Sequence, residues 1–247
     1  MHKVTFRFYE ELNDFLPKEK RKKRFEHKFI DRTSVKDVIE SFGVPHTEVD
    51  LILVNGESKN FSYIINDEDD ISVYPVFESL DISNIQKLRP EPLREPKFIL
   101  DVHLGTLARY LRMLGFDTIY RNDFSDKEIV EISLKEKRAI LTRDVGILKR
   151  SEVTRGYWVR NTDPVKQVEE IVKRFDLKNQ IKEFTRCVEC NFILEIIDKE
   201  KIINRLPPKV KAAHNDFLYC KNCDKIYWRG THYESMKELI ERLRDRD

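Results

Sequence analysis

The sequence of 247 residues predicts an α/β protein with a central parallel sheet flanked by helices, an N-terminal β-rich domain and a small cysteine-bearing module. Three observations support this fold class. Short strands and one helix occupy the first part of the chain, strands and helices alternate from Phe98 onward, and the four cysteines form two Cys-x-x-Cys pairs. We expect a domain over 1–80, a linker over 81–97, a domain over 98–182 and the cysteine module over 183–247.

The N-terminal region alternates apolar and polar residues as half-buried strands do. A short helix interrupts the strands, because Thr33-Ser34 is a helix-capping pair and apolar residues then recur at helical spacing. Asn55-Gly56 is a turn signal. The order strand, strand, helix, strands is typical of a β-grasp (ubiquitin-like) domain, with strands predicted over 4–8, 25–30, 51–54 and 71–77.

Two stretches in or just after this region differ from the alternating strand pattern: one is rich in basic residues and the other is polar and contains several prolines. The basic run 18–24 would either contact nucleic acid or form a solvated hairpin loop, and we favour the loop. The stretch 81–97 is polar and contains Pro90, Pro92 and Pro96, which predicts an extended, semi-rigid linker.

From Phe98 the pattern changes to short buried strands followed by helices. Ser125 and Glu128 form a predicted capping box, and Asp163-Pro164 opens a later helix. Connections this short predict a parallel sheet covered by helices. The predicted strands cover 97–100, 116–120, 139–142 and 157–159.

Four aspartates follow these strands. Asp101 comes directly after a buried strand and Asp144 follows Arg143 at the end of another, whereas Asp126 and Asp163 begin the helices after two others. Because ligands of parallel sheets bind beyond the carboxyl ends of the strands, we expect these four acids to crowd one edge. Carboxylates that repel one another need a cation or raised pKa values, and oxygen ligands without histidine suit Mg²⁺ or Mn²⁺.

Each acid also has a second interpretation. Asp126 and Asp163 are favourable helix-start residues whatever their function. Asp123 and Glu128 are alternatives to Asp126 as the second acid. A catalytic role fits Asp101 and Asp144 best, because a charged residue follows a buried strand each time.

Several basic side chains lie near these acids. Arg143, beside Asp144, would contact a scissile phosphate or form a surface salt bridge. His103 would contact RNA or serve as a packing residue. Arg109 and Arg112 lie opposite the apolar face of their helix, which predicts solvated side chains.

The cysteines Cys187, Cys190, Cys220 and Cys223 predict a structural zinc site. Each two-residue spacing lets a tight turn aim two thiolates at one ion, and two such turns close a four-sulfur shell. The loop between the pairs is expected to contain a strand or turn around Pro207-Pro208. Aromatic and basic residues after the second pair would either pack the module or bind RNA, the RNA-contact candidates being Trp228, Arg229 and His232.

Composition narrows the class of protein. Apolar residues make up 40% of the chain and charged residues 36%, which excludes global disorder. No apolar run is long enough for a membrane span and the N-terminus lacks an apolar signal core, so we expect a cytoplasmic protein without a membrane partner. The net charge is +2, but residues 98–233 carry 26 basic and 20 acidic side chains, a bias compatible with nucleic acid.

Several motifs resemble the Mut-seven C-terminal RNase family, in which a PIN-like nuclease domain is joined to a zinc ribbon. The matching segments are 99–117 (ILDVHLGTLARYLRMLGFD), 141–144 (LTRD), 184–191 (FTRCVECN) and 220–233 (CKNCDKIYWRGTHY). Residues 1–80 resemble the ubiquitin-like domain that often precedes it. The resemblance implies a metal-dependent ribonuclease centred on Asp101 and Asp144, with a looser match around Asp126 and Asp163.

Three functions follow from these predictions. The first is RNA hydrolysis at a Mg²⁺ or Mn²⁺ site, with structural zinc in the ribbon. The second is non-catalytic binding of RNA or ribosomes by a zinc-ribbon protein, and the third is a scaffold that binds a protein partner through the ubiquitin-like domain. A sulfur-carrier role is disfavoured because the chain runs on past residue 79 where such carriers end in Gly-Gly.

Overall fold

The structure, a computed structural model, describes residues 1–75, 88 and 96–245. The end of the last strand predicted in the N-terminal domain and most of the predicted linker lie outside the described residues, as do the side chains of Thr231, His232, Ser235 and Asp245. The chain forms two compact units. One consists of Met1–Glu95 and Ser125–Trp158, and the other of Pro96–Phe124 and Val159–Asp247.

The N-terminal region has the predicted β-grasp topology. Its sheet has the order β2-β1-β5-β3-β4, in which β1 pairs with β5 in parallel and the other neighbours are antiparallel. Strand β4 was not predicted, because its three residues are polar or charged and only follow the Asn55-Gly56 turn. The elements are β1 (His2–Phe8), β2 (Phe25–Phe29), α1 (Val35–Ser41), β3 (Val49–Val54), β4 (Glu57–Lys59) and β5 (Asp70–Pro75).

Local chemistry explains these elements. The Ser34 hydroxyl accepts a hydrogen bond from the Asp37 N–H at 3.1 Å and caps α1, whose buried face comprises Val35, Val38 and Ile39. The basic run forms a short 3-10 helix over Lys18–Lys20 and a turn before β2, which leaves open whether it contacts nucleic acid. Within it, the Lys20 ammonium lies 5.0 Å from the centroid of the Phe25 ring.

The alternating region contains short parallel strands flanked by helices, which confirms the predicted fold class. Strand β6 pairs with β7 in one unit, and β8 pairs with β9 in the other, both in parallel. Every residue of β6 and β8 is buried. The elements are β6 (Phe98–Leu100), α2 (Gly105–Met113), β7 (Thr118–Ile119), α3 (Asp126–Glu136), β8 (Ala139–Thr142), α4 (Val145–Leu148), β9 (Gly156–Trp158) and α5 (Pro164–Arg174).

The β-grasp region packs against 125–158 within its unit. The fully buried Glu48 carboxylate accepts a hydrogen bond from the Trp158 N–H at 2.6 Å, and the Phe15 and Trp158 ring centroids are 5.0 Å apart. Farther along, His46 Nε2 lies 2.7 Å from the Val153 carbonyl oxygen. These contacts join segments that are distant in the sequence.

The cysteine module is a three-stranded antiparallel ribbon of order β10-β11-β12 around Ile202, Leu206 and Phe217. The strand or turn expected around Pro207-Pro208 is wrong: Pro208 is the first residue of a helix, a position that tolerates proline because its N–H would have no partner. The elements are β10 (Glu195–Ile197), α6 (Lys199–Ile202), α7 (Pro208–Ala213), β11 (Phe217–Cys220), β12 (Lys225–Trp228) and α8 (Thr231–Asp245).

None of the helices among the described residues has the length and apolar character needed to span a membrane.

Candidate functional site

Asp101 is a buried carboxylate at the end of β6. Its side chain is 6% exposed, and one carboxylate oxygen accepts a hydrogen bond from the Val102 N–H at 2.6 Å. The chain then turns through Val102–Leu104 into α2. Burying a carboxylate is costly unless hydrogen bonds or a cation compensate for the lost water. The hydrogen bond from Val102 therefore both compensates part of this cost and orients the Asp101 carboxylate at the end of the strand.

Tyr120 supports this turn, and sequence reasoning did not identify it. Its hydroxyl donates a hydrogen bond to the Val102 carbonyl at 2.9 Å. A Cβ at Gly105 would lie 2.7 Å from the same hydroxyl oxygen, so a larger residue there would displace the Tyr120 ring. In the sequence, the only indication of a close neighbour at this turn was Gly105 at the start of α2. His103 lies on the turn and is exposed.

Asp144 is exposed and is the N-cap residue of α4, the short helix after β8. Its own N–H donates to the Thr142 hydroxyl at 2.8 Å, and its Oδ1 accepts from the Gly146 N–H at 2.7 Å. A Cβ at Gly146 would lie 3.0 Å from this Oδ1, which is closer than Cβ atoms usually come to another atom, so glycine suits this position. These bonds fix the orientation of the carboxylate. The neighbouring Arg143 is half-buried, and its carbonyl accepts from the Trp158 indole N–H at 3.3 Å.

The other two predicted acids are exposed at helix starts. Asp126 is the first residue of α3 and forms an ion pair with Arg150 at 3.6 Å. Asp163 caps α5 by accepting a hydrogen bond from the Lys166 N–H at 3.0 Å. Capping is thus an observed role of Asp163, and it leaves the predicted role in metal binding open.

The two alternative acids have local partners. Glu128 completes the predicted capping box with Ser125, and Asp123 pairs with Arg121 at 2.8 Å. Asp101 and Asp163 belong to one unit, and Asp126 and Asp144 belong to the other. A metal site that combines the four carboxylates stays a prediction.

The four cysteines come together as predicted. Their sulfur atoms all lie within 4.8 Å of one another, with Sγ–Sγ distances of 3.4 Å for Cys187–Cys223 and 3.3 Å for Cys190–Cys220. Cys187 and Cys220 are fully buried. Sulfurs that share one tetrahedral zinc ion are about 3.8 Å apart. The donor set therefore fits a closed, four-thiolate zinc site.

Both cysteine turns have the same backbone geometry. The residue after each pair, Asn191 (φ 69°) or Asp224 (φ 58°), is left-handed, a conformation that asparagine and aspartate tolerate. In each turn its N–H donates to the carbonyl of the first cysteine, Cys187 or Cys220, at 2.9 Å. The two turns thus present their thiols in equivalent ways.

The thiols differ in acidity. Burial acts to raise the pKa of Cys190, but hydrogen bonds from the Phe192 N–H and the Asn222 side chain outweigh it and lower this pKa to about 7. Burial, together with hydrogen bonds to the neighbouring sulfurs, raises the pKa of Cys223 to about 12. A bound metal requires thiolates, so metal binding would displace protons from this cluster.

Arg112 corrects the sequence interpretation of α2. Instead of being solvated, its side chain is 4% exposed and contacts the first cysteine turn. The exposed Arg109 is as predicted, and it forms an ion pair with Glu189 in the same turn. Arg186 and Asn191 add further hydrogen bonds, to the Gly115 carbonyl after α2 and to the Thr118 N–H of β7.

The predicted RNA contacts on the ribbon have different environments. Trp228 is half-buried and packs against the ribbon core. Arg229 is exposed, with its guanidinium carbon 5.6 Å from the centroid of the Tyr233 ring. The side chain of His232 lies outside the described residues.

Comparisons with protein families agree with the resemblance noted from the motifs. The Mut7-C RNAse domain model matches residues 96–240, and the Mut7-C ubiquitin model matches residues 1–81. Searches among curated proteins and among solved structures gave no match. The RNAse domain match points to a nuclease-type function and covers more than half of the chain. The chain therefore belongs to the Mut7-C RNAse domain family, preceded by the ubiquitin-like domain of that family.

Proposed function

We propose that this chain is a ribonuclease that hydrolyses RNA phosphodiester bonds at a carboxylate-bound Mg²⁺ or Mn²⁺ site. The observation that carries the proposal is the Mut7-C RNAse domain match over 96–240, a range that contains all four predicted acids. The two acids that follow buried strands, Asp101 and Asp144, are the centre of the proposed site.

Asp101, Asp126 and Asp144 would hold the ion, and Asp163 would complete the acidic set. When bound, such an ion supplies an activated water and stabilises the leaving oxygen of the phosphodiester. The protein contributes oriented oxygen ligands. Val102 fixes one oxygen of Asp101, and Gly146 fixes Oδ1 of Asp144, while Asp144 Oδ2 accepts no hydrogen bond from the described part of the chain.

RNA would be held by basic and aromatic side chains beside the acids and on the ribbon. Arg143 and the exposed His103 lie within one or two residues of Asp144 and Asp101 and would contact the phosphate backbone. Arg229, His232 and Trp228 would contact RNA from the ribbon, where arginine and aromatic rings can stack on unpaired bases.

The remaining parts receive supporting roles in the proposal. The four cysteines bind zinc that holds the ribbon together, as their sulfur distances allow. The ubiquitin-like domain binds a protein partner. The cytoplasm is the proposed location.

RNA cleavage by the purified full chain tests the proposal. We expect labelled single-stranded RNA to be cleaved in the presence of Mn²⁺, and Asp144→Asn to slow cleavage by roughly 10²–10³-fold, because one anionic ligand is lost. Asp198→Asn is the matched control, since Asp198 is also an exposed aspartate at a helix start but is not part of the proposed site.

Two results would contradict the proposal. Equal cleavage by wild type and Asp144→Asn would assign the activity to a contaminant. Tight RNA binding without cleavage in either Mn²⁺ or Mg²⁺ would favour the non-catalytic RNA- or ribosome-binding function instead.

A further inference from the structure

Arg112, in the last turn of α2, makes an unusual set of contacts for a buried cation. Its Nε donates to the Thr118 carbonyl at 2.9 Å, and one terminal nitrogen donates to the carbonyls of Val188 at 3.1 Å and Glu189 at 2.7 Å. With only 4% of the residue exposed, the guanidinium is almost removed from water. All three acceptors are backbone carbonyls.

Two of these carbonyls belong to the first cysteine turn. Val188 and Glu189 are the two residues between Cys187 and Cys190, so the guanidinium grips the loop whose ends carry two of the sulfurs. The orientation of these carbonyls sets the turn, and the turn sets the direction of both thiolates. Arg112 therefore acts on the cysteine cluster through the backbone carbonyls of its first turn.

The charge of Arg112 also suits this location. A buried guanidinium is costly unless negative charge lies nearby. Zinc with four thiolates carries a net charge of −2, and carbonyl dipoles alone do not neutralise a full positive charge. A loaded cysteine centre would supply further counter-charge beside that of the Glu189 carboxylate, which couples the cation to the bound metal.

Further hydrogen bonds join the same two segments. The Asn191 side chain accepts from the Thr118 N–H at 3.0 Å and donates to the Asp117 carboxylate at 2.7 Å. Arg186 donates to the Gly115 carbonyl at 3.1 Å. Side-chain hydrogen bonds therefore join the segments 112–118 and 186–191, and their geometry requires the observed conformation of the first cysteine turn.

We propose that Arg112 is a positioning residue of the cysteine metal site, and that metal binding orders the end of α2 and the start of β7 together with the ribbon. The inference rests on the zinc binding proposed above. Arg112 holds the turn through carbonyl hydrogen bonds and offsets the charge of the thiolates. The metal centre thereby stabilises the segment that follows the Asp101-bearing turn.

The rate of zinc release to an excess of a chelating dye tests this role. Arg112→Gln keeps hydrogen-bonding capacity but removes the charge, whereas Arg112→Lys keeps the charge but removes the fork of donors. We expect zinc release to be about 10–100-fold faster in Arg112→Gln, as is typical for residues that orient metal ligands, with Arg112→Lys between it and wild type.

Arg174→Gln is the matched control, because Arg174 is another buried arginine (7% exposed) of the same unit, located on α5. A merely structural role would speed release equally in Arg112→Gln and Arg174→Gln, and that result would overturn the proposal. Zinc content is measured first in the purified wild type. Its absence would refute zinc binding itself, whereas zinc that is released at an unchanged rate would refute only the role of Arg112.

Amide hydrogen exchange in wild type keeps the proposal falsifiable if Arg112→Gln does not fold. We expect chelation of the zinc to increase exchange in 112–118 as well as in 186–191, and to leave β1 and β2 unchanged. An increase in exchange confined to 186–191 would overturn the proposal that metal binding also orders 112–118. Neither measurement depends on RNA cleavage, so failure of the ribonuclease proposal is separate from failure of this one.

Discussion

Individual side chains with distant partners organise both units. Arg112 bonds residues 76 and 77 positions away, and Glu48 bonds a residue 110 positions away. The sequence predicted the cysteine cluster from its spacing, whereas the metal site that it predicted for the acids stays a prediction. It missed the environment of Arg112, since a helix position opposite the apolar face is normally solvated and only a docked neighbour changes that.

At the residue scale, His27 gives the β-grasp region a pH dependence. Burial lowers the pKa of His27, with a smaller effect from the Lys20 charge, and its ring lies 5.1 Å from that of Phe42. The folded state therefore disfavours protonation, so stability falls as the pH drops below the unfolded histidine pKa of about 6.5. We expect the opening free energy of β1 and β2, obtained from amide exchange corrected for the intrinsic exchange rate at each pH, to fall between pH 7.5 and 5.5, and His27→Gln to reduce that fall.

A pH response of β1 and β2 that is the same in His27→Gln and wild type would assign it to other groups.

At the element scale, the residues that begin three of the helices were predicted correctly from the sequence. The cap of α1, the capping box of α3 and Asp163-Pro164 before α5 all occur as predicted. Each depends on interactions within a few residues. The failures have equally local causes: β4 has three polar residues and no apolar alternation, and Pro208 favours a helix start as readily as a turn.

The capping box of α3 provides a test at this scale. Ser125→Ala removes the hydroxyl that accepts the Glu128 N–H, which leaves a helix-terminal donor without its partner. We expect a loss of about 1 kcal/mol in the free energy of unfolding, measured by urea denaturation.

Ser151→Ala serves as the matched control, because Ser151 is exposed and bonds only the adjacent Glu152 side chain within the described residues. An equal loss in both variants would show that α3 does not depend on the box.

At the scale of the whole molecule, each compact unit combines segments that are separate in the sequence. The β-grasp region shares a unit with 125–158, and the ribbon shares one with α2, β7 and α5. Stability should therefore be shared within a unit, whichever sequence segments its residues come from. The ubiquitin-like domain is structurally part of a larger compact unit.

The buried Glu48 tests this shared stability. Glu48→Ala leaves the Trp158 N–H without its carboxylate acceptor, which costs about 1–3 kcal/mol. We expect amide exchange to increase both in β3 and in 139–158. The conservative Glu48→Gln keeps an acceptor and should show a smaller effect. An increase confined to β3 would show that the two segments unfold independently.

The sequence by itself determined most element types, the clustering of the four cysteines and the placement of Asp101 and Asp144 after buried strands, because these depend on local periodicity and spacing. Only the tertiary structure decided that Arg112 is buried against the Val188 and Glu189 carbonyls, that Tyr120 braces the Asp101 turn, and that Glu48 pairs with Trp158. Such partners are brought together by chain packing, and no pattern within a few residues records which distant backbone group a polar side chain will meet.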